Sequence, residues 1–123
     1  MVYVDANVIL ELILQRPRMR DAAKMLGEAD VSVISMLTVH LVWHFCRLEN
    51  VADSVIETAI ADKTIVDVTR TDYEWALRHE KGRDFEDALQ VATALRSGCD
   101  TFLTFDRALA RRYHHLPLNF KRS

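Results

Sequence analysis

Carboxylates recur at three places where the character of the chain changes. Asp5 follows the apolar run "VYV", Asp106 follows "TFLTF", and "DFED" places Asp84, Glu86 and Asp87 at the head of an apolar segment. If these places converge, the carboxylates repel one another and their pKa values rise unless cations neutralise them. Carboxylate oxygens suit Mg²⁺ or Mn²⁺, and ions of this kind activate water for phosphodiester cleavage. The acids together favour a metal-dependent nuclease site.

Helix capping offers a simpler explanation for each acid alone. Asp5 and Asp106 both stand where a helix is expected to begin, and an aspartate N-cap stabilises a helix by about 1 kcal/mol. Asp84 as N-cap with Asp87 three residues later would imitate a capping box and complement the helix dipole. Both explanations stay open for any single residue, and only the conjunction of the three places favours a shared site.

Strands and helices alternate along the chain. Apolar residues three and four apart predict helices, and short β-branched or aromatic runs predict strands. The predicted helices cover 6–15, 19–28, 36–48, 52–61, 72–81, 86–97 and 107–113, and the predicted strands cover 2–4, 31–34, 65–68, 101–105 and 118–120. Capping boxes are predicted at 54–57 and 71–74.

This alternation predicts one α/β domain over residues 1–123, with a mainly parallel sheet covered by helices on both faces. Ligands of such folds gather outside the carboxyl ends of the strands. Asp5 and Asp106 both occupy such ends, so they are expected to share one edge of the sheet.

Composition narrows the other classes of function. The chain has 123 residues, 50% of them apolar, and its 16 basic and 18 acidic side chains leave a net charge of −2. That balance gives no overall attraction for polyanions. Two distant cysteines argue against a disulfide framework or a thiolate zinc site, and no apolar run approaches the roughly 18 residues that span a bilayer. These features predict a protein of the reducing cytoplasm.

Three segments resemble PIN-domain ribonucleases of the VapC-like kind, which are toxins of prokaryotic toxin–antitoxin pairs. "YVDANVILELIL" is similar to the family's first motif, "FEDALQVATAL" to its central helix, and "FLTFD" to its terminal strand motif. The resemblance implies metal-binding acids at Asp5, Asp87 and Asp106, supported by Asn7 and Thr104. It spans nearly the whole chain and implies a PIN-like three-layer α/β/α sandwich.

One acid of the family pattern is missing. The family usually has a glutamate six residues after a serine in its third helix, and here Leu41 stands six residues after Ser35. A PIN subgroup that lacks this glutamate carries Asp-x-Glu-Asp at the central helix. Similarity to that subgroup implies that Asp84 completes the metal-binding set, with Glu86 as a supporting residue. The alternative is that Glu86 itself replaces the missing glutamate. The opposite interpretation is a weakened site, or one that binds a single ion.

Basic residues concentrate after the last acid. The candidates for RNA contact in this stretch are Arg107, Arg111 and Arg112. Contacts from such residues to phosphates would position RNA without selecting its sequence. The alternative is a solvated helix face.

Two histidines also have a spacing used in metal sites. His40 and His44 lie one helical turn apart, but no third ligand is evident nearby. The helix around them is apolar almost all round, which predicts that it is buried against its neighbours. Structural or interfacial histidines are therefore the favoured interpretation.

The leading hypothesis is an endoribonuclease that depends on Mg²⁺ or Mn²⁺. A metal-activated water would attack phosphorus in line, without a covalent protein nucleophile. The resemblance further implies a small cognate antitoxin that blocks the site, and a homodimer. One alternative is a degenerate PIN domain that binds RNA or a protein without cutting. Another is an aspartyl-phosphate type of phosphomonoester hydrolase, which wants an aspartate where this chain has Asn7.

Overall fold

The computed structural model describes residues 1–80, 82 and 84–121, and within them lie seven helices and five strands. The strands are β1 (Val2–Val4), β2 (Ser32–Ser35), β3 (Thr64–Val66), β4 (Thr101–Leu103) and β5 (Asn119–Lys121). The helices are α1 (Ala6–Ile13), α2 (Met19–Glu28), α3 (Met36–Leu48), α4 (Asp53–Ala61), α5 (Arg70–His79), α6 (Phe85–Arg96) and α7 (Arg107–Arg112).

The predicted order of elements is confirmed, and the observed ends differ from the predicted ones by at most two residues. Residue 81, the predicted end of the fifth helix, lies outside the described residues. None of the helices in the described part of the chain combines the length and the apolar character needed to cross a membrane.

The five strands form one parallel sheet in the order β3-β2-β1-β4-β5. β1 lies at the centre, where Tyr3 is in register with Val33 of β2 and Val4 is in register with Leu103 of β4. The prediction of a mainly parallel sheet is confirmed, and every pairing in it is parallel. The carboxyl ends of β1 and β4 therefore lie side by side.

Successive strand residues point to opposite faces, so each strand contributes to two apolar clusters. Val4 and Leu103 pack in one cluster with residues of α1 to α4. Tyr3 and Phe102 pack in the other with residues of α5, α6 and α7, and their rings stack with centroids 5.1 Å apart. Helices thus cover both faces of the sheet, as the predicted three-layer architecture requires.

The helix starts differ from the predicted capping boxes at 54–57 and 71–74, which are wrong. α4 begins after Ala52, which makes no side-chain cap. α5 begins after Thr69, whose hydroxyl accepts from the N–H of Asp72 while the Asp72 carboxylate accepts from the N–H of Thr69. This pair has the same three-residue spacing as the predicted one. Asp72 is also held by contacts from α6, which select the earlier start.

α3 is not buried almost all round, so that prediction is wrong. Its fully buried side chains are Thr38, Val42 and Cys46. Phe45 and Leu48 on the same helix are 42% and 65% exposed. α3 packs mainly against α1, α4 and β2, and the apolar side chains outside those contacts remain exposed.

Candidate active site

Two predicted acids follow neighbouring strands at one edge of the sheet. Asp5 comes directly after β1, and its N–H donates to the carbonyl of Leu103 in β4 at 2.9 Å. Asp106 follows β4 by three residues and caps α7, because its carboxylate accepts from the N–H of Leu109 at 3.1 Å. Asp5 likewise caps α1 by accepting from the N–H of Asn7. Asp5 and Asp106 therefore cap helices and at the same time lie at one edge of the sheet.

The Thr104 hydroxyl connects these two acids. It donates to Oδ2 of Asp5 at 2.8 Å and accepts from the N–H of Asp106 at 3.0 Å. The Asn7 amide lies between the same segments, since its Nδ2 donates to Thr104 Oγ1 at 3.4 Å and its Oδ1 accepts from the N–H of Phe105 at 3.3 Å. Thr104 is fully buried, so one hydroxyl fixes the relative position of both strand ends.

A second buried network holds the other oxygen of Asp5, and the sequence interpretation missed it. Nε2 of Gln90 in α6 lies 3.5 Å from Oδ1 of Asp5. The Gln90 Oε1 faces the hydroxyls of Tyr3 and Thr38 at 3.3 and 3.5 Å. The available signal was a glutamine inside the apolar stretch "ALQVATAL", because a buried amide needs hydrogen-bonding partners.

Asp84 and Asp87 both contact Arg112 of α7. Nε of Arg112 lies 3.0 Å from Oδ2 of Asp84, and Nη2 donates to Oδ2 of Asp87 at 3.2 Å. The first contact is an ion pair without hydrogen-bond alignment. Tyr113 also donates its hydroxyl to Asp84 Oδ2 at 2.8 Å. Asp84 makes no side-chain cap on α6, so helix capping does not explain it.

Burial and the charges of acids from separate elements raise the pKa values of Asp5 and Asp87. Burial raises the pKa of Asp5 from 3.8 to about 6, and the charge of Asp106 adds to the rise. Burial also raises the pKa of Asp87 to about 7, with contributions from Asp5 and Asp106 that the charge of Arg112 opposes. Glu86, which is exposed, adds only a small further rise to the pKa of Asp87.

These carboxylates are the type of ligand that a hard divalent cation prefers, but they are not arranged around one point. Buried carboxylates that raise one another's pKa are stabilised by a cation, and oxygen is the ligand that Mg²⁺ prefers. In the described part of the chain, however, no three side chains of the His, Cys, Asp or Glu type converge closely enough to hold one ion. The donor set suits such an ion, but Asp87 already has a cationic partner in Arg112.

α3 supplies no acid to this edge. Leu41, at the position of the missing glutamate, is partly buried and packs against the apolar cluster that contains Val4. α3 instead contributes Thr38 to the network around Gln90. His40 and His44 are exposed, with ring centroids 6.0 Å apart.

The three RNA-contact candidates separate into two environments. Arg107 and Arg111 are exposed and line a cavity of about 550 Å³ between α7 and β5, together with His114, Asn119 and Phe120. Arg112 instead turns toward the acids, and its side chain is 28% exposed.

Comparison with known proteins identifies the fold of this chain. The sequence profile of the PIN domain matches residues 2–114. The structure of VapC20 from Mycobacterium tuberculosis, described as a sarcin-ricin loop cleaving toxin, is similar with a TM-score of 0.73 and 19% identity, over 90% of this chain and 94% of that chain. A toxin–antitoxin complex from Klebsiella pneumoniae gives a TM-score of 0.75 at 19% identity, over 97% of this chain and 99% of the other.

VapBC2 from Rickettsia felis, bound to a DNA fragment from its promoter, gives a TM-score of 0.70 at 14% identity, over 99% of this chain and 98% of the other. No curated protein matches the sequence. At such identities the structural likenesses concern the fold, and they agree with the three-layer sandwich. The family follows from the profile, which covers most of the sequence, and the chain belongs to the PIN-domain family.

Proposed function

We propose that this PIN domain is an endoribonuclease that depends on Mg²⁺ or Mn²⁺. The ligands in this proposal are Asp5, Asp87 and Asp106, with Asp84 assisting. The observation that carries it is the position of Asp5 and Asp106, which the buried Thr104 hydroxyl joins at one edge of the sheet. Burial raises the pKa of Asp87 in α6, and the charges of both acids add to the rise. A catalytic cation would offset that repulsion.

The chain's own residues prepare this edge for such a reaction. Thr104 donates to Oδ2 of Asp5 and Gln90 donates to its Oδ1, and the two contacts together orient the carboxylate. Asp87 projects from the first turn of α6 with its side chain 25% exposed, which leaves it accessible to substrate. When bound, a divalent ion supplies an activated water and offsets charge on the leaving oxygen.

We place the RNA across the basic cavity beside α7. Arg107 and Arg111 form no ion pair with any described carboxylate, and they lie one and five residues after Asp106. Arginines that are free of protein carboxylates can contact phosphate oxygens, which position a strand without reading its bases. Residue 106 would then join the reacting edge to the groove that holds the backbone.

A toxin role is the cellular setting that we propose. The similar structures include one described as a sarcin-ricin loop cleaving toxin and one described as a toxin–antitoxin complex. We accordingly propose a small antitoxin that covers the acidic edge, a homodimer, and action in the cytoplasm. Expression of the chain should arrest growth, and co-expression of the antitoxin should relieve the arrest.

Leu41 favours one second candidate, a PIN domain that binds RNA or a protein without cutting. A leucine in the apolar cluster replaces the usual glutamate, and the described acids do not converge on one point. Such a protein would bind RNA equally well with and without a divalent ion.

The two candidates are separated by incubating the purified chain with single-stranded and structured RNA in Mn²⁺, Mg²⁺ or EDTA. The enzyme requires metal-dependent cleavage that Asp5→Asn and Asp87→Asn both abolish. Asp62→Asn is the matched control, because Asp62 is 78% exposed and lies just before β3, at the opposite edge of the sheet. Intact RNA in every metal, with unchanged RNA binding by the variants, would refute the enzyme and support the binding module.

A further inference from the structure

Arg112 occupies an unusual position for an arginine at the end of a surface helix. Its guanidinium bridges two carboxylates of α6, with Nε 3.0 Å from Asp84 and Nη2 3.2 Å from Asp87. Its neighbour Arg111 and Arg107 in the same helix are exposed. The bridge therefore joins the carboxyl end of α7 to the amino end of α6.

Buried groups hold this bridge in place. Asp84 is only 7% exposed, and the Tyr113 hydroxyl donates to the same oxygen that faces Arg112. Tyr113 is itself 1% exposed and packs beside Trp75 of α5, with ring centroids 6.1 Å apart. Arg112 is thus held by a buried frame, unlike a surface arginine that samples many rotamers.

Asp87 is the point where this frame meets the proposed metal-binding set. The hydrogen bond from Arg112 engages its Oδ2. A guanidinium keeps its charge at all accessible pH values, so a divalent ion bound to Asp87 would lie close to a permanent positive charge. The two cations would repel each other and share one carboxylate.

We propose that Arg112 is an internal counter-ion that competes with the divalent ion for Asp87, and that Asp84 serves to hold Arg112. This inference rests on the proposed metal-dependent function. It also accounts for the lack of convergence among the described acids, because Asp87 is turned to the arginine. Asp84 then assists the site through Arg112 as a positioning residue.

The contact between Arg112 and Asp87 could also help metal binding, and that role predicts the opposite change in metal affinity. If Arg112 only oriented Asp87 for the metal, its removal would weaken metal binding. If Arg112 competes, its removal strengthens metal binding. The sign of the change in Mn²⁺ affinity therefore decides between the two roles.

The test is Mn²⁺ titration by calorimetry, without RNA, on the wild-type chain and Arg112→Gln. Glutamine keeps a hydrogen-bond donor and removes the charge. We expect Mn²⁺ to bind Arg112→Gln more tightly by about tenfold or more, because a cation beside the ion is removed. The rise in the unfolding midpoint on exchange of EDTA for Mn²⁺ should also be larger for Arg112→Gln. Arg78→Gln, at an exposed arginine of α5, is the matched control, and we expect its Mn²⁺ affinity to change by less than about twofold.

Arg112→Lys extends the comparison if Arg112→Gln fails to fold in EDTA. Lysine keeps the charge but lacks the planar fork that reaches two carboxylates together, so we expect a smaller gain of about threefold. Unchanged or weaker Mn²⁺ binding in the folded Arg112 variants would overturn the inference while leaving the metal-dependent function standing. Absence of Mn²⁺ binding to every protein, wild type included, would overturn both.

Discussion

Asp5→Asn should stabilise the metal-free protein at alkaline pH, although Asp5 is a proposed catalytic residue. Burial raises the pKa of the Asp5 carboxyl from 3.8 to about 6 in the folded chain. A folded-state pKa above the unfolded value means that the native protein holds its proton more tightly. Stability is therefore lost as the pH rises from about 4 through about 6, and the full loss persists above that window.

The size of the effect follows from the same values. The difference between 3.8 and about 6, at about 1.4 kcal/mol per tenfold change in proton affinity, amounts to about 3 kcal/mol. Asparagine avoids this cost but places an amide against the donors of Thr104 and Gln90, which costs about 1 kcal/mol. The net gain in unfolding free energy at pH 8 should be about 2 kcal/mol. Loss of the Asp5 charge also lowers the pKa of Asp87, which acts in the same direction.

The assay is urea unfolding in EDTA between pH 4 and pH 8. We expect the stability of the wild-type chain to fall across this range more steeply than that of Asp5→Asn. The control for stability is Asp30→Asn, at an exposed residue two positions before β2, and it should follow the wild-type curve. Mn²⁺ should stabilise the wild type and remove the advantage of the variant. Parallel curves for the wild type and Asp5→Asn, or a variant less stable than the wild type at pH 8, would refute the reasoning.

Three further predictions concern contacts that the fold creates. Asp72→Ala should lower the unfolding free energy by about 2 kcal/mol in urea titrations. The reason is that α5 loses its buried capping residue and the contacts of that residue with α6. A loss below about 0.5 kcal/mol would contradict this prediction. Thr104→Val should weaken Mn²⁺ binding about tenfold in calorimetry, since the strand-end acids lose their common hydroxyl, and unchanged affinity would count against it. Combined Arg107→Ala and Arg111→Ala should raise the Kd for uncleaved RNA in EDTA and flatten its salt dependence, whereas Arg78→Ala, on α5, should change neither.

Much of this fold could be predicted because the signals are local. Apolar spacing identified each helix, and β-branched or aromatic runs identified each strand. Alternation of the two implied the parallel sheet that the structure has. The strand ends marked by Asp5 and Asp106 could be placed at one edge for the same reason, since parallel neighbours end together. The supporting residues Asn7 and Thr104, expected from the family resemblance, are in contact with each other there. Their catalytic use stays a prediction.

Local signals failed where two neighbouring patterns competed. The start of α5 was misassigned because Thr69 and Asp72 repeat the spacing of the pair at 71–74, and only contacts from α6 distinguish them. The exposure of α3 was misjudged because apolar composition does not reveal how many neighbours a helix has. Phe45, 42% exposed, looks the same in the sequence as a buried phenylalanine.

The sequence by itself determined which elements form and which acids stand at their ends, because those properties depend on residues a few positions apart. The tertiary structure alone decided what the acids touch. Gln90 reaches Asp5 across 85 positions of the chain, and Arg112 reaches Asp87 across 25. No spacing rule connects residues so distant, since their meeting depends on how α6 and α7 pack on the sheet. Arg112, which the sequence offered only as a candidate for RNA contact, consequently stands among the carboxylates.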